Sequence, residues 1–113
     1  MEKKFGTLLK EVRRSKQVSQ RELADRVGVD FSYISKIENN RLAPPAADTI
    51  VKICEALDVP SEVLLAHAGK VSSEMKDAIT SSPAAVRFMN QIQEMKLTDD
   101  EWNQLSDNLK KLR

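Results

Sequence analysis

The sequence predicts an all-α protein in which five short helices surround one core and a helical extension follows. Three observations carry that expectation. Glycine occurs only at positions 6, 28 and 69. β-Branched residues nowhere form the period-two run of a half-buried strand, and apolar side chains recur instead at spacings of three and four. With 113 residues, the chain has room for one compact core and an appendage rather than two ordinary domains.

The elements follow in order. Phe5, Leu8, Leu9, Val12 and Arg13 keep an i, i+3, i+4, i+7 rhythm, which predicts a first helix over Phe5 to Ser15, ended by the polar pair Lys16-Gln17. Ser19-Gln20-Arg21-Glu22 is a capping box: hydroxyl and carboxylate each accept from the other residue's amide, so a second helix starts there and runs to Val27. Gly28 closes it, since a left-handed residue without a Cβ meets no steric cost. Asp30 is an N-cap for a third helix over Phe31 to Asn39, which turns Ile34 and Ile37 inward and leaves Phe31, Ser32, Ser35 and Lys36 on other faces. Asn39-Asn40-Arg41 ends it in a polar loop. Beyond Pro44-Pro45, the spacing of Ile50, Ile53, Cys54 and Leu57 marks a fourth helix over Ala46 to Leu57. Pro60 opens a fifth, with Val63, Leu64 and Leu65 apolar and Gly69 as its stop.

The texture then changes, and residues 1–69 and 70–113 read as two regions. Breaks at Lys70 to Ser73 and at Thr80-Ser81-Ser82-Pro83 separate helices expected near Ser73 to Ile79, Pro83 to Met95 and Asp99 to Leu112. Thr98 and Glu101 form a second capping box, after which Trp102, Leu105, Leu109 and Leu112 make a narrow apolar seam. Together with Met75, Ile79, Val86, Phe88, Met89, Ile92 and Met95 these are too many apolar side chains for a solvated tail.

Charge is distributed unevenly. The net +1 conceals 10 Lys/Arg against 6 Asp/Glu up to Leu42, and 8 against 11 beyond it, or +4 against −3. A basic front suits an anionic partner such as a phosphate backbone, though an ordinary solvated surface shows similar asymmetry. The lone Cys54 allows neither an intrachain disulfide nor a cysteine zinc site, which favours a reducing, cytoplasmic setting. Met1-Glu2-Lys3-Lys4-Phe5-Gly6 is not followed by the apolar stretch of a signal peptide, and no run approaches the roughly 20 residues that span a bilayer, so no membrane association is expected. His67, the one histidine, has no ligand set or nucleophile at a suitable spacing. No phosphate-cradling glycine loop and no carboxylate pair in a plausible cleft accompanies it, so neither an enzyme nor a metal or other cofactor is expected.

Two short helices joined through Gly28, the second presenting polar side chains near its start, form the arrangement that sets one helix in a DNA major groove while the other crosses the backbone. The identities are more specific than the spacing. Ser19-Gln20-Arg21-Glu22-Leu23-Ala24 through Gly28-Val29, then Tyr33-Ile34-Ser35-Lys36-Ile37-Glu38-Asn39 with Arg41 beyond, resembles the Cro/C1-type helix-turn-helix family, also called the Xre family, over residues 5 to 68. The resemblance implies a five-helix lambda-repressor-like DNA-binding domain. It also implies a DNA-facing set of Gln20, Arg21, Phe31, Ser32, Tyr33, Ser35, Lys36, Asn40 and Arg41. Gln20 would contact phosphate, while Tyr33, Asn40 and Arg41 would belong to backbone contacts. Lys36 would reach guanine or phosphate, the second more readily, since an ammonium lacks a bidentate fork. Phe31 departs from the family pattern, in which a polar reader is frequent. Its ring would pack on a thymine methyl or fold back onto the domain. Arg13 and Glu38 match a scaffold ion pair between the first and third helices.

One such unit reads few base pairs, so twofold pairing on a palindromic operator is the usual route to affinity. Val86, Met89, Ile92, Trp102, Leu105 and Leu109 are the expected dimerisation residues of a homodimeric repressor on double-stranded DNA. Helices folding back onto their own domain would instead leave a monomer. Two further alternatives give the extension another protein to bind: an antitoxin holding a toxin, or a regulator cut by a dedicated metallopeptidase.

Overall fold

The computed structural model describes residues 3–113. Met1 and Glu2, which open the N-terminal stretch and the first expected region, lie outside the described residues. Among the described residues eight helices follow in order: α1 Phe5–Ser15, α2 Gln20–Val27, α3 Phe31–Glu38, α4 Ala47–Ala56, α5 Glu62–Ala68, α6 Ser73–Ile79, α7 Pro83–Met95 and α8 Asp99–Lys110. No strand occurs among the described residues. The chain divides into two compact units, the first running to Glu74 and the second from Met75 to Arg113. The division falls five residues beyond Gly69 because the segment after α5 is clasped to the first unit. Lys70 Nζ donates to the carbonyls of Pro44 and Pro45 at 3.2 and 2.7 Å, and the Ser73 amide and hydroxyl both donate to Asp48.

In the first unit α1 packs on α3 and α5, α2 on α3 and α4, and α4 on α5. Leu9, Leu23, Ile34, Ile37, Ile50, Ile53, Leu57 and Leu64 are almost wholly buried, with Phe5, Val18, Ala24 and Cys54 completing the core. Val12 and Val27 pack against it half-buried. Burial pushes the Cys54 thiol above its ordinary pKa, because a thiolate loses more hydration there than a thiol does.

The capping box of α2 is present in both directions, Glu22 N to Ser19 Oγ at 3.1 Å and Ser19 N to Glu22 Oε1 at 3.3 Å. Asp30 occupies the N-cap of α3 with extended backbone, yet its side chain makes no cap hydrogen bond. α5 begins two residues after Pro60, with Ser61 at its N-cap.

All five helices of this unit end in the same chain reversal. Gln17, Gly28, Asn40, Asp58 and Gly69 each take a positive φ, from 55° to 84°. The amide after each bonds a carbonyl five residues back: Val18 to Arg13, Val29 to Ala24, Arg41 to Lys36, Val59 to Cys54 and Lys70 to Leu65. Only two of these positions are glycine, so glycine marks two of the five ends.

In the second unit Ser82 caps α7, its Oγ accepting from Ala85 N at 3.1 Å, and Pro83 stands in the first turn, where its missing N–H costs nothing. Lys96, left-handed at φ 49°, reverses the chain, and the Thr98–Glu101 capping box starts α8.

Candidate nucleic-acid interface

The node beneath α3 is the most constrained part of the first unit. Glu38 is buried, and both its oxygens accept from Arg13: Nε to Oε2 at 2.6 Å and Nη2 to Oε1 at 2.8 Å. Arg13 Nη1 donates to the Val18 carbonyl at 2.8 Å, and Gln20 Nε2 adds a bond to Glu38 Oε1 at 2.9 Å. The hydrogen bond with Glu38 raises the Arg13 pKa, and the attraction between the charges adds to it against desolvation. Among the described residues no buried side-chain nitrogen or oxygen lacks a partner, so this buried charge is fully compensated. One carboxylate thereby ties the ends of α1 and α3 and the start of α2 together, and fixes the tilt of α3.

A second tie lies just past the end of α3. The Gly6 amide donates to Asn40 Oδ1 at 3.0 Å and Asn40 Nδ2 donates to Thr7 Oγ1 at 3.3 Å. The close approach explains the glycine, because a Cβ at position 6 would stand 2.0 Å from the Ile37 carbonyl oxygen.

These ties sort the residues expected to face DNA. Arg21, Phe31, Ser32, Lys36 and Arg41 are exposed and lie on α2, on α3 or in the loop after it. Among the described residues the side chains of Ser32, Lys36 and Arg41 make no hydrogen bond or ion pair. Ser35 is half-buried and accepts weakly from Asn39 Nδ2 at 3.4 Å, and Tyr33 is half-buried against the core. Gln20 and Asn40 are engaged inside the domain: the Gln20 amide nitrogen is on Glu38, and both ends of the Asn40 amide are on α1. Nothing local in the sequence signals these roles, since their partners lie 18 to 34 residues away. The signal that was present is Gly6, a costly residue inside a helix. Arg21 lies over the Phe31 ring, 4.7 Å from its centroid, so the ring is not folded into the core.

This arrangement of α2 and α3 is shared. The helix-turn-helix family model matches residues 9–64. SinR, an HTH-type transcriptional regulator of Bacillus subtilis, is 33% identical over 94 residues, covering 74% of this chain and 85% of SinR. The chain is a helix-turn-helix transcriptional regulator of the Cro/C1 (Xre) type. An uncharacterised HTH-type regulator of Mycobacterium tuberculosis is 36% identical to it over 91 residues, or 77% of this chain, and the chain spans 64% of that relative's length. Among solved structures, SinR in complex with DNA superimposes on 54% of this regulator and 97% of its own chain, with a TM-score of 0.51 and 38% identity. A SinR–SinI protein complex matches 81% of the regulator and 96% of that chain, again at a TM-score of 0.51, with 33% identity.

In the second unit, the residues expected to dimerise divide between two environments. Ile92 is buried within the unit itself, and Met89 and Leu105 are half-buried, whereas Val86, Trp102 and Leu109 are exposed together with Phe88 and Leu112. Phe88, Met89, Ile92, Trp102, Leu105, Leu109 and Leu112 line an open, mainly apolar groove of about 510 Å³. No helix among the described residues is long and apolar enough to cross a membrane.

Proposed function

We propose that this regulator is a repressor that binds a palindromic operator as a homodimer in the cytoplasm. α3 enters the major groove, and Arg21, Phe31, Ser32, Ser35, Lys36 and Arg41 meet DNA. Tyr33 and the α3–α4 loop lie along the backbone. The observation that carries this reading is the contrast on α3: one side locked by Arg13, Glu38 and Asn40, the other presenting exposed cations and hydroxyls. The likeness to SinR bound to DNA supports the same placement. Gln20 and Asn40 act mainly by positioning, Gln20 keeping the second hydrogen of its amide nitrogen for a phosphate oxygen or water. The residues 70–113 region supplies the dimer contact through the apolar groove of α7 and α8, and no catalytic step is involved.

A second reading gives the same groove to another protein, of toxin or regulatory type, and it is favoured by the SinR–SinI complex, whose match extends over 81% of this chain. Selection of bound duplexes from a random pool tests the first. Enrichment of inverted half-sites about one helical turn apart, with affinity falling steeply between low and moderate salt, is expected. Enrichment of single, unpaired half-sites contradicts the homodimer, and no enrichment contradicts sequence-specific binding.

A further inference from the structure

At the entrance to α3 stands a pair that lies outside the apolar core. Phe31 is the first residue of the helix, remains 40% exposed and takes no part in the apolar core. Arg21 is exposed, and its contact with the Phe31 ring is the one interaction it makes among the described residues. A guanidinium stacked on a ring restricts the ring to one orientation and covers one face of it, leaving the remaining ring surface to whatever approaches α3.

A phenyl ring neither donates nor accepts a hydrogen bond to a base edge. The one apolar group that unmodified DNA presents in the major groove is the C5 methyl of thymine, and 5-methylcytosine carries the same methyl in the same place. Building on the DNA reading above, we propose that Phe31 is a specificity-determining residue that selects a 5-methylpyrimidine at one position of each half-site, and that Arg21 is the positioning residue that holds its ring. The recognised chemistry is the methyl group. Selectivity at this position is therefore set by shape and desolvation, with the polar edge of the base left unread.

The test uses the full chain and a duplex obtained by selection. Each thymidine is replaced in turn by deoxyuridine, which removes the methyl and nothing else. At one position per half-site, affinity is expected to fall about fourfold, the worth of one buried methyl. At that position 5-methyl-deoxycytidine is expected to bind about fourfold better than deoxycytidine, which identifies the methyl rather than thymine as the recognised group. Phe31→Ala abolishes both ratios, whereas Phe31→Leu retains part of each. Arg21→Lys keeps a cation for phosphate but loses the flat stacking surface, so the methyl ratios shrink while the salt dependence of binding persists. A duplex bound with clear sequence preference but insensitive to every thymidine-to-deoxyuridine change overturns the inference and leaves the DNA reading standing. Methyl ratios unchanged in Phe31→Ala overturn it too. Failure to select any duplex overturns both.

Discussion

The two units of this regulator treat their apolar residues in opposite ways. In the first, every helix sends at least one aliphatic side chain into the core, the buried Arg13–Glu38 pair is completely bonded, and each helix end has its left-handed reversal. In the second, Ile92 is the one buried apolar side chain of Met75–Arg113, while Phe88, Met95, Trp102, Leu109 and Leu112 stand exposed. The first unit has a closed core, and Phe31, Leu42, Val63 and Val71 are its exposed large apolar side chains among the described residues. The second has well-made helices, capped at Ser82 and Thr98, with too little to pack against. Large exposed apolar patches commonly mark interaction sites, so the contrast supports the proposed division between DNA reading and association.

Substitutions can break or sharpen that contrast. The largest effect is expected from Glu38→Ala, which strands Arg13 in the core and should cost about 3–5 kcal/mol in a urea titration, with a concurrent loss of DNA binding. Replacing both partners by apolar residues of similar volume should cost less than the single change. Gly6→Ala comes next, because its Cβ drives α1 from the Ile37 carbonyl, and a loss of about 1–3 kcal/mol is expected by the same titration. Lys96→Gly acts on the second unit with the opposite sign. It relieves a left-handed lysine and should raise stability by about 1 kcal/mol or less, read as a higher melting temperature of the α7–α8 signal from Trp102.

The smallest effect concerns pH. Hydrogen bonds from the Ser73 hydroxyl, and then from its amide, lower the Asp48 pKa. A depressed carboxylate contributes stability above its unfolded pKa of about 3.9, and that contribution is lost as pH falls through the folded value. Asp48→Asn should therefore lower stability slightly at neutrality and flatten the acid limb below about pH 4, where the two curves converge, as acid titration by circular dichroism would show.

Much of this architecture was legible because helix boundaries are written locally. Ser19 with Glu22, Thr98 with Glu101, and Gly28 and Gly69 each act within four residues, and the helices they delimit appear where the spacing puts them. The misplacements have local causes as well. Pro60 precedes the N-cap rather than opening α5, and α8 ends at Lys110, two residues short of Leu112, because the amides of Lys111 and Leu112 bond carbonyls three residues back. What was not legible depends on contacts between distant residues. Left-handed Gln17 and Asp58 carry no glycine signal, and the hydrogen bonds of Asn40 to α1, of Gln20 to Glu38 and of Lys70 to the proline loop exist only once the helices meet. The contact of Arg21 with the Phe31 ring likewise joins two helices, and nothing local in the sequence signals it.

Whether one end reads DNA while the other pairs the chains is decided by sedimentation velocity on the full chain and on a Leu109→Asp, Leu112→Asp variant, each alone and with a selected duplex. A dimer is expected for the native chain, a folded monomer for the variant with unchanged circular dichroism, and weaker binding of the variant to the same duplex. A native chain that sediments as a monomer at all concentrations, and occupies the duplex as well as the variant does, would contradict it.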